Sequence, residues 1–411
     1  MKKIISLSIV LFTVVFNNIH AQEINSNFIG EKHIVNSDIL KEKREISIYL
    51  PENYQHTKTD YPVLYILDGQ RYFLNGILYQ NTLKWQEKTP DFIVIGINTN
   101  NRKRRKLFFD DSKMFIDFLD NELIPYVDRN YRTSSKRLFF GWEMAGGLAI
   151  ELLAQSQSMF SAYFIASPTH INATRLDTLK KKLMSKDNVN EFIYFSISPE
   201  ESWSIPSLES LSEILKEHAS SGLKWYYKIL NEENHHSTPT KTIHEGLNKY
   251  FWDYPYLRFY SLKEFIDFGG ISALKEYYIK RGKKYNLSKE IHMDTKHFLL
   301  LQSMKENNFV SFDFFMNEFK GFYKSKTRDI WFNRYAQFYL KHQKPNEAIE
   351  ILTVGFEKFQ NSSIILGGLG DAYVNIGDKV KAKKHYIKAI DLASRNGDKN
   401  IKAYKSKLEQ I

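Results

Sequence analysis

The chain has 411 residues, 43% of them hydrophobic, a formal net charge of +11 and no cysteine. That length admits one large core and a second, smaller unit, and the missing cysteine excludes disulfides and a lipid-attachment thiol, so stability must come from packing. The basic residues are spread along the chain with no zinc, helix-turn-helix or RNA-binding signature beside them, which argues against nucleic-acid binding.

Lys2 and Lys3, the apolar run over residues 4–16 and the site Ile19-His20-Ala21 before Gln22 read as a secretory signal over residues 1–21. The run is too short to span a bilayer as a mature helix, and no later segment is apolar enough to do so. The expectation is an exported, soluble chain, periplasmic or secreted.

From residue 28 to 252, short β-branched or aromatic runs alternate with longer amphipathic ones, the pattern of α/β units around a mostly parallel, doubly wound sheet. Strands are expected at residues 45–50, 63–67, 92–97, 137–140, 162–165, 192–196 and 224–229, and helices at 114–127, 147–155, 206–220 and 240–251. The hairpin-like stretch 32–50 predicts antiparallel strands at one edge. After Trp252, Asp253-Tyr254-Pro255-Tyr256 reads as a linker, and residues 260–411 read as all-helical. Within residues 331–398, Phe338 and Ala372, Tyr339 and Tyr373, Ala348 and Ala382, Leu352 and Tyr386, and Gly355 and Ala389 are each 34 positions apart. That period, with small residues where paired helices cross, resembles tetratricopeptide repeats. A lone pair cannot bury its apolar face, so residues 260–330 must cap or complete the stack, and a protein partner for the repeats is expected.

The chemistry centres on residues 137–148, RLFFGWEMAGGL. An apolar strand runs into Gly141, one residue stands out, and small residues let a helix start against the sheet, which is the outline of a nucleophile elbow with Glu143 at its tip. The amide of Met144 after the tip, and that of Gln70 after the strand end Leu67-Asp68-Gly69, are candidate oxyanion-hole donors. Residues 231–239, NEENHHSTP, lie between the last strand and a helix, where an α/β-hydrolase keeps its histidine base. Glu200 or Glu201, after the strand at 192–196, completes the chain order of elbow, acid and histidine.

Together YPVLYILDGQRYF, FIVIGINTNNR, FLDNELIPYVDRNYRTSSKRLFFGWEMAGGLAIELL, FIASP and NEENHHSTP resemble the bacterial putative-esterase family of α/β-hydrolases, which includes siderophore esterases, over about residues 30–252. The resemblance implies that His235, in its His-x-Ser-x-Pro setting with Ser237 and Pro239, is the catalytic histidine. The family's elbow reads Gly-x-Ser-x-Gly, whereas this chain reads Gly141-Trp142-Glu143-Met144-Ala145. Without the hydroxyl there is no atom for a Ser-His-acid mechanism to acylate. The Glu143 carboxylate is expected to reach the oxyanion-hole amides and to pair with His235. A carboxylate at the elbow can itself attack an electrophilic carbon, as the aspartate of haloalkane dehalogenases and epoxide hydrolases does.

Where the family places an Arg-Asp pair, residues 101–106 read NRKRRK; Arg102, matching the family's arginine, is expected to point inward and bind an anionic group of a ligand, against the alternative of a solvated basic loop. Trp142 either walls the pocket or packs in the core. His170 and His218 have no partners at ligand spacing and read as ordinary polar histidines. No HExxH, Cys/His set, phosphate loop or dinucleotide fingerprint occurs, so no metal or organic cofactor is expected. Two functions remain open: an exported esterase-family hydrolase acting on ester-like substrates through an altered nucleophile, or an inactive pseudo-esterase that binds a small ester or anionic ligand in its pocket and a protein through its repeats.

Overall fold

The computed structural model describes residues 29–99, 101–155, 158–185 and 189–411, so the expected export signal at residues 1–21 lies outside the described residues. The chain divides into two compact units between Trp252 and Asp253; Asp253, Tyr254 and Pro255, expected as a linker, are instead bound to Lys284, Arg281 and Tyr277 and so belong to the second unit. Among the described residues no helix is long and apolar enough to cross a membrane.

In the first unit, β1 (Glu31–Ser37), β2 (Glu42–Tyr49), β3 (Tyr61–Leu67), β4 (Ile93–Ile97), β5 (Thr133–Trp142), β6 (Ala162–Ala166), β7 (Phe192–Ile197) and β8 (Lys224–Ile229) form one sheet ordered β1-β2-β4-β3-β5-β6-β7-β8. β1 pairs antiparallel with β2, closed by a tight turn with Lys41 at φ 53°, and β2 pairs antiparallel with β4. From β4 through β3 to β8 every pairing is parallel. The edge hairpin and the parallel body are those the alternation of the sequence implied. Every residue of β3, β4, β6 and β7 is buried, as a sheet covered on both faces requires, which is why these strands are continuous apolar runs.

The covering helices are α1 (Gly69–Trp85), α2 (Ser112–Phe118), α3 (Ile124–Asn130), α4 (Met144–Leu153), α5 (Ala173–Met184), α6 (Ile205–His218) and α7 (Thr238–Tyr250). The helix expected at 114–127 is α2 and α3, joined by a π-helical turn at Leu119–Leu123 that keeps Phe115, Phe118, Leu119 and Leu123 in the core. α5 is not among the expected helices, and neither is α1. It buries Tyr72, Phe73, Ile77 and Leu83 but exposes Leu74, Leu78 and Trp85, so apolar residues run round it and no clean amphipathic period marks it.

The second unit is all-helical: α8 (Leu262–Asp267), α9 (Gly270–Tyr285), α10 (Met293–Lys305), α11 (Phe309–Glu318), α12 (Asp329–Lys341), α13 (Pro345–Lys358), α14 (Ser363–Asn375), α15 (Lys379–Asn396) and α16 (Ile401–Glu409). α12 and α14 start 34 residues apart (363 − 329), as do α13 and α15 (379 − 345). The pair α10–α11 precedes them in like manner, and Asn307, Gln343 and Gly377 each take a left-handed conformation in the turn inside a pair. Ala348, Ala382 and Ala389 are fully buried, which lets helices approach closely.

Candidate active site

The site lies along the carboxyl edge of the parallel strands, where an open α/β sheet presents its loops. β5 ends at Trp142, and Glu143 follows with φ 56° and ψ −118°, a conformation costly for a residue with a side chain. The backbone is pinned there from both sides. Its N–H donates to the carbonyl of Ala166 at 3.1 Å, and its carbonyl accepts from the N–H groups of Gly147 and Thr169, each at 3.0 Å. Gly141 is required by the same turn, since a Cβ there would lie 2.5 Å from the carbonyl oxygen of Ala145. Met144 opens α4 and Gln70 is the second residue of α1, so both amides belong to helix first turns, which lack intrahelical acceptors. Because β3 and β5 are neighbours in the sheet, the two helix starts stand side by side.

His235 and Glu201 come together. The Nδ1 atom of His235 lies 2.6 Å from Oε1 of Glu201, which is fully buried. The other Glu201 oxygen accepts from the Ser167 hydroxyl at 2.6 Å and the Ser198 N–H at 2.9 Å, so the carboxylate is satisfied and fixed. With Nδ1 so engaged, Nε2 is the ring nitrogen left for chemistry. Glu200 is exposed and, of the two acid candidates, Glu201 alone contacts the histidine. Trp142 is buried, donates its indole N–H to the His235 carbonyl at 3.1 Å, and its ring sits 4.9 Å from the imidazole.

Two expectations about charged groups are corrected. Arg102 is exposed, and the arginine that turns inward is Arg104. A short turn at Asn101–Lys103 precedes a helical stretch that buries Arg104, Leu107 and Phe108 together, a spacing of three and four residues that was visible in the sequence. Arg104 binds Asp68 through Nε at 3.0 Å and Nη2 at 2.9 Å, and its Nη1 meets Oε2 of Glu143 at 2.5 Å. Asp68 is fully buried and also accepts from the Thr99 hydroxyl. The Glu143 carboxylate, expected to pair with His235, is therefore ion-paired to Arg104. Burial works against the guanidinium charge, but Asp68 and Glu143 outweigh it and hold the Arg104 pKa above the ordinary arginine value. Three further cations of the basic loop face other acids: Lys103 meets Glu42 at 2.5 Å, Arg105 meets Asp110 at 3.4 Å and Lys106 meets Asp111 at 3.5 Å.

A cleft of about 370 Å³ opens beside Glu143, walled by His170, Asn172, Trp203 and Ser207. His170, read from the sequence as an ordinary histidine, sits here with φ 59° and its ring 5.0 Å from that of Phe109. Burial, with Arg105 and Arg175 nearby, lowers its pKa. Its one sequence signal was its place after Ser167-Pro168, at the carboxyl end of β6. Asp68 and Arg104 were likewise missed, because only the fold brings the loops after β3 and β4 together. Among the described residues no cluster of three or more His, Asp or Glu is placed to hold a metal ion.

With elbow, acid and histidine in order along this edge, the family described as Putative esterase matches residues 37–244, just over half of the chain. The chain belongs to this family. The esterase-family chain is 25% identical over 133 residues to an uncharacterized protein, YbbA, of Bacillus subtilis, a match taking in 28% of this chain and 53% of that protein, so it spans about half the relative's length. An IroE-like serine hydrolase from Shewanella oneidensis shares its fold with a TM-score of 0.53 and 21% identity over 70% of this chain and 98% of that one. An uncharacterised protein from Capnocytophaga ochracea matches with a TM-score of 0.55 and 17% identity over 92% of this chain and 99% of that one, a span that takes in residues of both units.

Proposed function

We propose that the first unit is a pseudo-esterase, a ligand-binding pocket built on a hydrolase frame whose nucleophile seat is filled by Glu143 in place of serine. The observation that carries this reading is the 2.5 Å ion pair between Glu143 and Arg104. A carboxylate has no hydroxyl proton for His235 to remove, and pairing with a guanidinium withdraws the charge a nucleophile needs. The test is a chromogenic short-chain ester assay on wild type, Glu143→Ser and His235→Ala. Wild type should show no turnover above His235→Ala, and activity that arises in Glu143→Ser would identify a disarmed enzyme. Wild-type turnover that vanishes in His235→Ala overturns the proposal.

One observation favours a second reading. The Glu201–His235 pair is intact at 2.6 Å, the relay needed to activate water against the alkyl ester that Glu143 would form by attacking a saturated electrophilic carbon and expelling a halide or opening an epoxide. Mass spectrometry of protein mixed with an aryl epoxide or an alkyl halide would detect such an adduct on the peptide carrying Glu143.

Export and a contact role for the helical unit belong to the same proposal. Lys2, Lys3 and the apolar run to residue 16 support the first, with a mature N-terminus at Gln22 as its check. The 34-residue helix spacing supports the second; a pull-down that retains the same partners when the chain stops at Trp252 would count against it.

A further inference from the structure

The cleft beside the elbow has a charge opposite to the one its basic loop suggests. Of its lining residues only Glu143 carries a full charge. His170 is held toward the neutral form by burial and Arg105. Arg104 contributes no free positive end, since Nε and Nη2 bind Asp68 and Nη1 binds Glu143. Glu143 lines the cleft and Arg104 and Asp68 lie behind it, so two carboxylates around one guanidinium leave a net charge of −1 there, while Arg175, which donates to the His170 carbonyl, is balanced by Glu151. The cations of residues 103–106 other than Arg104 pair with Glu42, Asp110 and Asp111, and Arg71 packs over Trp142 without lining the cleft.

The geometry points to an organic cation as the ligand of this cleft: we propose an ammonium group carried on an aromatic or apolar body. Arg104 takes Oε2 of Glu143, and Oε1 is the oxygen available to receive a charged N–H. Trp203 is 66% exposed at the cleft, its ring 6.4 Å from that of His235, and offers the π-face on which a cation or an aromatic ring rests. A volume of about 370 Å³ suits a small molecule rather than a bare ion. The inference rests on the binding-pocket reading above and names its ligand class.

The test is calorimetric titration of the full-length protein at pH 7.5 with phenethylamine, phenethyl alcohol and 3-phenylpropionate, which are similar in shape and differ in charge. The amine should bind about tenfold tighter than the carboxylate, and Glu143→Gln should remove that preference while Trp203→Ala weakens the amine and the alcohol alike. As a check independent of any variant's folding, raising salt should weaken the wild-type affinity for the amine and leave that for the alcohol unchanged. Equal or tighter binding of 3-phenylpropionate, an amine affinity insensitive to both Glu143→Gln and salt, or no binding of the amine at millimolar concentration overturns the proposal. Ester turnover by wild type in a parallel assay would sink the pseudo-esterase reading, while the ranking of the three probes would still decide the cation preference.

Discussion

Arg104 and Glu143 are joined at 2.5 Å, and the same guanidinium is clasped from its other edge by Asp68, which has no exposure to solvent. One side of this bridge is therefore buried and the other is 24% exposed. The two halves should differ in their energetic weight, because removing a partner from a fully buried charge costs far more than removing one at a rim.

Arg104→Met leaves Asp68 buried with Thr99 as its remaining side-chain partner among the described residues and is expected to cost about 3–5 kcal/mol. Glu143→Gln keeps a hydrogen-bond acceptor facing Arg104 at the partly exposed end and should cost about 1 kcal/mol or less. Urea unfolding followed by tryptophan fluorescence ranks the two. If Glu143→Gln proves the more damaging, the bridge is organised differently.

The elbow backbone gives an inverted glycine effect. Glycine is ordinarily worse than alanine inside a folded element, but at φ 56° and ψ −118° only glycine is free of the Cβ clash. Glu143→Gly is expected to be more stable than Glu143→Ala by about 1 kcal/mol, with the ion pair to Arg104 lost equally in both. The usual order, alanine above glycine, would mean that residue 143 relaxes to an ordinary conformation in solution.

How far this site was readable in the sequence follows from how local each signal is. The elbow and the His235 loop depend on short runs whose glycine, proline and apolar neighbours dictate a turn, and β7 and β8 lie within one residue of the stretches expected from their apolar patterns. Arg102 matches the family's arginine by position, but the inward face is set by helical spacing, in which Leu107 and Phe108 stand three and four residues after Arg104, and alignment within a run of basic residues does not resolve that spacing. Asp68 carries no local signal at all; its role comes from β3 and β4 lying side by side, so that the loop after β4 returns Thr99 and Arg104 onto it. Glu200 and Glu201 could be separated only by the turn after β7, where the Ser198 N–H and the Ser167 hydroxyl both reach Glu201.

The helical unit should lose stability on mild acidification. Burial, then Lys326 and Arg334 nearby, hold His297 down to about 4, and its Nδ1 lies 2.9 Å from the Tyr335 hydroxyl. An unfolded chain with an ordinary histidine pKa of about 6.5 binds the proton first. The contribution is thus complete above pH 6.5 and declines as pH falls from there toward 4. Allowing for partial exposure, the loss between pH 7 and pH 5 is about 1 kcal/mol. Urea unfolding at the two pH values should show this difference shrinking in His297→Gln; an unchanged difference would assign the acid sensitivity to other groups.

Asp371 is the point where the last helices of the chain are tied together. It accepts from Gln337 of α12 at 2.8 Å, from the Tyr386 hydroxyl of α15 at 2.6 Å and from Lys407 of α16 at 2.7 Å. Tyr386 is 2% exposed, so Asp371→Ala leaves its hydroxyl buried without that acceptor, a loss of about 2–3 kcal/mol. In a stack whose elements contact mainly their neighbours, such a loss is felt locally. Hydrogen exchange should therefore quicken in α14, α15 and α16 and stay near wild-type rates in α8 and α9. Uniform acceleration through α8 to α16 would show that the helical unit opens as one cooperative block, and the neighbour-by-neighbour picture of its repeats would have to be given up.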